Sequence, residues 1–258
     1  MKIEDDGTTP EADRHQSKPG GGVMTHVKNE GIEILRVLCG SRAYGLETET
    51  SDYDYHGVFV VPTSHILSLG SKIKETAWLE GEGSNEDNTA WELGHFLTMA
   101  TQCNPTVLET FVAPVMYVND YGSDLLALFP YVLNRKRIFD AFRGYAKNQR
   151  TKMFDPPPGT GDPVLRQRKA AIAYLRSLYH GAQLLYGGTY MPRIPKGEFR
   201  DFLMEMKRGK PYLYEIVKRA EYLEDDIVAA YAKSPIRQEP DYDRINAFLL
   251  RVRRELWA

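Results

Sequence analysis

Cysteine is nearly absent. Cys39 and Cys103 are the only two in 258 residues, which excludes a disulfide framework. Without paired histidines nearby they do not make a structural zinc site either, and their apolar surroundings fit buried, reduced thiols. No apolar run approaches the roughly 20 residues that cross a bilayer. Residues 1–22 lack the charged-then-apolar order of a secretory leader. A cytoplasmic protein with no membrane partner is expected. Internal repeats at solenoid periods are missing too. What is present is a composition of 42% apolar and 26% charged residues, sufficient for one substantial core or two small ones.

The net charge of −2 conceals an asymmetry. Residues 1–130 carry 8 Lys and Arg against 20 Asp and Glu, whereas residues 131–258 carry 25 against 15. An acidic half that binds cations beside a basic half that attracts phosphates suits an enzyme acting on polyanions. Two solvated helix surfaces meeting through salt bridges would give the same count.

Residues 1–22 are polar, end in Gly20-Gly21-Gly22 and read as disordered, with Met24 an internal start or the edge of the folded unit. The β-branched run Ile32 to Cys39 predicts a strand. A turn follows, then a short helix near 43–46, a strand over 54–61 and a further strand near 72–79. Trp91, Phe96, Leu97 and Ala100 predict a helix over Asn88–Gln102. A short helix over Val107–Val112 and a strand over Val115–Val118 come next. Beyond them the chain reads as helix over 125–129, 138–151, 164–186, 196–208, 212–232 and 242–257, with Pro156-Pro157-Pro158-Gly159 as the clearest break. The organisation expected is a disordered segment 1–22, an α/β domain 23–130 and a helical domain 131–258, with a cleft between the two domains.

One segment concentrates chemistry. It runs Gly40-Ser41-Arg42-Ala43-Tyr44-Gly45-Leu46 and continues to Ser51-Asp52-Tyr53-Asp54-Tyr55-His56-Gly57-Val58. Gly40-Ser41 sits where a strand ends, and backbone N–H groups at such a turn point at an anion. Asp52 and Asp54 are spaced i, i+2, so in an extended chain both carboxylates face one side, about 6 to 7 Å apart at the backbone. That spacing suits divalent cations; a solvated turn before a strand is the plainer alternative.

This order of motifs, joined to Gly57-Val58-Phe59-Val60-Val61-Pro62 and Asn104-Pro105-Thr106-Val107-Leu108-Glu109, resembles the nucleotidyltransferase signature of the DNA polymerase beta superfamily. More narrowly it resembles a predicted subfamily, some members of which are associated with RNA ligases in RNA repair. The close resemblance covers roughly residues 32–112 and a looser one runs through the C-terminal half.

The resemblance implies an α+β fold, a small mixed-sheet nucleotidyltransferase domain followed by an all-helical domain. It implies two Mg²⁺ ions, with Mn²⁺ as a substitute, and an NTP as substrate. Asp52 and Asp54 would bridge the ions. A third carboxylate would complete the site: Asp87, or Glu86 if the register slips across Gly81–Asn85, the alternative being that no third ligand exists. Gly40 and Ser41 would hold the β- and γ-phosphates. Arg42 would add charge to them, or pair with Glu47 or Glu49 at the surface.

In the helical half, Lys169, Arg176 and His180 fall near one helix face. Lys169 and Arg176 are candidates for the triphosphate, or else members of a solvated basic stripe. His180 is bracketed by apolar residues that suit a core histidine. His56 would contact a phosphate or make a strand-end hydrogen bond. Asn104-Pro105-Thr106 fits a helix cap, and Glu109 pairs with a nearby arginine. Lys207-Arg208-Gly209-Lys210 would meet an acceptor backbone or complement a helix dipole. The expected reaction moves an NMP from an NTP to a hydroxyl, the favoured acceptor being an RNA 3′ end, with an RNA ligase as a functional partner. A modifier of proteins or small molecules and a non-catalytic nucleotide- or RNA-binding module are the alternatives.

Overall fold

The computed structural model describes residues 31–70, 73–78, 88–156, 158, 162–210 and 212–258. Asp87, Glu86, the segment 1–22, Met24 and the stretch Gly81–Asn85 lie outside the described residues.

Five strands form one mixed sheet: β1 (Ile32–Cys39), β2 (Asp54–Val60), β3 (Thr76–Trp78), β4 (Thr89–Glu92) and β5 (Val115–Val118), in the order β3-β4-β2-β1-β5. β1 is antiparallel to both β2 and β5, while β2 runs parallel to β4. Ile34, Leu35 and Val37 of β1 are completely buried. Consecutive buried residues mean that both faces of this central strand are covered, which explains its near-continuous apolar run.

The helix predicted over Asn88–Gln102 begins only at Leu93, as α3 (Leu93–Thr101); its first part is β4. Trp91 fits a helical period with Phe96, but Thr89, Ala90, Trp91 and Glu92 find backbone partners on β2 and β3. Ladder pairing therefore overrides local spacing. Glu92 caps α3, accepting from the Gly94 N–H at 2.6 Å. The short helix expected near 43–46 starts earlier, as α1 (Gly40–Tyr44). The Asn104-Pro105-Thr106 turn is a helix cap as read: Asn104 Oδ1 accepts from the N–H groups of Thr106 and Val107, and Pro105 opens α4 (Pro105–Thr110).

The helix predicted at 125–129 instead straddles the end of α5 (Asp120–Leu126) and the start of α6 (Phe129–Val132). The remaining helices are α2 (Thr63–Leu67), α7 (Arg135–Phe154), α8 (Pro163–Gly187), α9 (Glu198–Lys207), α10 (Leu213–Lys233) and α11 (Tyr242–Glu255). α8 lies between α7 and α10. Gly181 permits that approach, since a Cβ there would stand 2.7 Å from Ile227 Cδ1 and 2.9 Å from Phe142 Cβ. Leu175, Leu184 and Leu185 of α8 are fully buried, each stabilising the fold by about 1.5–3 kcal/mol.

α11 returns to the sheet. Arg253 pairs with the buried Glu92 at 2.6 Å, and the N–H of Thr63 donates to the Leu256 carbonyl at 3.0 Å. One cluster of buried apolar side chains runs from Ile34 to Val252 and joins sheet to helices. No helix among the described residues is long and apolar enough to cross a membrane.

Candidate active site

The ladder between β1 and β2 sets the site. Cys39, the last residue of β1, lies opposite Asp54, the first of β2, so the Gly40-Ser41 turn leaves the sheet beside that carboxylate. Gly40 has φ +67° and a Cβ there would overlap the Asp54 carboxylate. Only glycine meets both conditions without strain. Gly45, with φ +72°, ends α1, and the Leu46 N–H closes back on the Ser41 carbonyl at 2.9 Å.

Two cations from α9 fasten the end of α1. Arg200 Nε donates to the Gly45 carbonyl at 2.7 Å, and Lys207 Nζ donates to the Leu46 carbonyl. Basic groups at the last carbonyls of a helix satisfy orphan acceptors and oppose the dipole.

Arg42 points at its own loop. Its Nη2 donates to the Ser51 carbonyl at 2.7 Å, its Nε reaches the Ser51 and Asp52 carbonyls at 3.2 Å, and its guanidinium lies 3.8 Å over the Tyr53 ring. The loop that presents Asp52 is thereby tied to the helix that follows Gly40. Neither Glu47 nor Glu49 is its partner, and Glu47 instead pairs with Arg193.

Asp52 and Asp54 line a cavity of about 820 Å³ together with Gly40, Ser41, His56 and Thr89. This volume is in the range of small-molecule sites. The helical half contributes Arg168, Lys169, Arg176 and Lys207 to its walls, with Tyr145 and Tyr190. Asp54 and His56, two apart on β2, both reach the cavity, as strand alternation requires. Burial lowers the His56 pKa to about 4, so the ring is neutral at pH 7. Its Nδ1 lies 3.2 Å from Thr110 Oγ1, and the ring meets Trp91 edge-on at 5.0 Å.

Behind the turn is a buried polar knot. The Tyr44 hydroxyl donates to Glu109 Oε2 at 2.9 Å, Arg176 Nη1 lies 3.4 Å from the same oxygen, and the guanidinium stands 3.5 Å from the Tyr44 ring centre. Burial raises the Glu109 carboxyl above its ordinary range, an effect that Arg176 partly offsets. Burial opposes the charge on Arg176, but Tyr44 and Glu109 outweigh it and the group stays cationic. His180 is wholly buried beside this knot, with Tyr179 and Tyr190 rings 5.4 and 5.2 Å away. Burial, then Arg176, keep its pKa far below normal. It is a neutral core histidine at the cavity wall.

The structure thus brings Gly40, Ser41, Asp52, Asp54, Lys169 and Arg176 to one cavity and turns Arg42 toward the loop. Sequence reasoning gave no cavity role to Tyr44, Arg168 or Lys207. Tyr44 follows the Gly-Ser turn by one helical turn, a signal that was available. Arg168 carries none beyond membership of a basic stretch, and Lys207, read as meeting an acceptor backbone or a helix dipole, lines the cavity wall instead.

Among the described residues no three His, Cys, Asp or Glu side chains converge as a metal site. Two carboxylates suit Mg²⁺, which is held by one or two of them together with substrate phosphates. The Asp54 carboxylate packs against Gly40, so that hard donor stands beside the Gly40-Ser41 turn. No curated protein and no solved structure matches the chain. A family profile, however, matches residues 22–251, well beyond the motif region. With the Gly-Ser turn and both aspartates on one cavity and a mixed sheet beneath them, this chain belongs to the RNA repair pathway DNA polymerase beta family.

Proposed function

We propose that the protein is a Mg²⁺-dependent nucleotidyltransferase that moves an NMP from an NTP to a hydroxyl, with an RNA 3′ end as acceptor. The observation that carries this reading is one cavity walled by the Gly40-Ser41 turn, the carboxylates of Asp52 and Asp54, and the cations Arg168, Lys169, Arg176 and Lys207, with Glu109 in the same wall paired to Arg176. Triphosphate needs the turn and the cations, whereas the carboxylates would repel it unless a divalent ion stood between them.

Asp52 and Asp54 hold the metal, and the third carboxylate of the family pattern is assigned to Asp87. When bound, Mg²⁺ would neutralise phosphate charge and lower the pKa of the attacking hydroxyl, and Mn²⁺ would serve in its place. Ser41 and the backbone after Gly40 bind the terminal phosphates. Lys169 and Arg176 offset the charge that builds on pyrophosphate as it leaves. The acceptor hydroxyl loses its proton to water as its oxygen forms a bond to the α-phosphorus, the bond from that phosphorus to the bridging oxygen breaks, and pyrophosphate takes the electron pair. Arg42 serves through the loop, fixing where Asp52 stands. An RNA ligase that seals the extended end is the functional partner expected for this product.

Incubating the protein with α-labelled NTPs, Mg²⁺ and either RNA or cell protein tests the reading. Label on RNA 3′ ends with release of pyrophosphate supports it. Label on protein, or none with any acceptor, contradicts the RNA assignment.

A further inference from the structure

One exposed patch at the cavity rim is not used by the chemistry above. Arg208, Gly209, Lys210, Tyr212, Leu213 and Tyr214 are all exposed, and Tyr212 and Tyr214 show 73% and 68% of their surfaces. Their rings are 6.2 Å apart and within 15° of parallel. The pair is held on the start of α10, where Glu215 accepts from the Tyr212 N–H at 2.7 Å. Two large π-faces turned to water contribute nothing to the core.

The patch adjoins the cavity. Lys207, which lines it, begins the same turn. Arg168, also in the wall, packs over Gly209, which has φ +74° and has no room for a Cβ beneath that guanidinium. Arg168, Lys169, Arg208 and Lys210 form no ion pair with a carboxylate among the described residues, whereas Lys207 is engaged by the Leu46 carbonyl and feels Glu47. The nearby Glu215 is occupied with the helix start. A row of unneutralised cations beside exposed, nearly parallel aromatics matches the two needs of an unpaired polynucleotide, phosphate contact and base stacking.

We propose that Tyr212 and Tyr214 are a stacking platform for the unpaired bases of a single-stranded RNA acceptor, with its backbone along Lys210, Arg208 and Arg168 and its 3′ end in the cavity. The inference rests on the RNA-acceptor reading. Sequence-tolerant contact is implied, because every base presents a π-face to a tyrosine.

Fluorescence anisotropy with a labelled, unstructured RNA of about 12 nucleotides tests it. The variants are Tyr212→Ala/Tyr214→Ala, Tyr212→Phe/Tyr214→Phe and Lys210→Ala, with thermal shift by NTP and Mg²⁺ recorded for each. The double alanine variant is expected to bind RNA about tenfold more weakly or worse, with its NTP-induced shift and melting point unchanged. The double phenylalanine variant retains binding within about twofold, since it keeps both stacking faces. Lys210→Ala reduces the salt dependence of binding by about one counterion. Duplex RNA and single-stranded DNA of the same sequence are the comparison arms, and weaker binding of duplex is expected.

Wild-type affinity in the double alanine variant overturns the platform, as does a wild-type protein that binds no single strand. If labelled transfer to another acceptor persists in either case, nucleotidyl transfer stands and the platform alone is wrong. If RNA binding depends on both tyrosines but no transfer occurs, the platform stands and the catalytic reading fails.

Discussion

Arg176, from the middle of the long helix α8, lies 3.5 Å from the ring centre of Tyr44, the last residue of α1, which Gly40 and Ser41 open. Glu109, from α4, holds both: it accepts from the tyrosine hydroxyl and faces the guanidinium at 3.4 Å. Three segments far apart in the chain meet in this knot, which couples the helical half to the site. Its side chains are almost inaccessible, 13% for Arg176 and 5% for Glu109, so its charges are poorly screened.

Glu109→Gln is expected to destabilise the fold by about 3 kcal/mol or more, because it leaves the buried Arg176 cation without its counter-charge. Glu109→Gln combined with Arg176→Met should cost less than the two single changes summed. Denaturant midpoints of the four proteins measure that coupling.

Gly40→Ala should lower stability by about 1–2 kcal/mol through the left-handed backbone alone, and further through overlap with Asp54. The same change should weaken Mn²⁺ binding, since it displaces one of the carboxylates proposed to hold the ion. Thermal melts and a Mn²⁺ titration read the two effects separately.

Arg42→Ala separates a loop anchor from a phosphate ligand. Because Arg42 holds the Ser51 and Asp52 carbonyls, its loss should lower kcat about tenfold and leave the KM for NTP within about twofold. A large rise in KM with kcat unchanged would instead assign it to the triphosphate.

These distinctions show where the sequence is legible. β1, β2 and the five long helices stand close to where apolar periodicity puts them, and Asn104 and Pro105 cap α4 as their types require. The site turn and its two aspartates were readable because neighbouring strand ends bring them together, and that geometry is local. Trp91 misled because its partners on β2 and β3 are set by the sheet rather than by its neighbours in sequence. Arg42 is ambiguous in sequence because a guanidinium so close to Glu47, Glu49 and the Gly40-Ser41 turn can serve either, and in the structure it takes the Ser51 and Asp52 carbonyls. The Arg176, Glu109 and Tyr44 knot joins residues 65 and 67 positions apart, a relationship that no spacing rule reaches.

Cys103 offers a test of the core. Burial pushes its thiol from 9.0 up to about 11. Between those values the unfolded chain releases the proton while the folded chain keeps it. This group's contribution is therefore complete below pH 9 and lost as pH rises toward 11. Wild-type protein should lose about 3 kcal/mol more stability than Cys103→Ala across that interval, read from unfolding at each pH. The native thiol should also resist alkylation at pH 8.

The most direct test of the account is transfer from an α-labelled NTP to RNA in Mg²⁺ by wild-type protein, Asp52→Ala and Asp54→Ala, with folding of each checked by melting. The account predicts that either substitution lowers the rate by about a thousandfold or more while the fold persists. Near-wild-type transfer by the Asp54→Ala protein would contradict it.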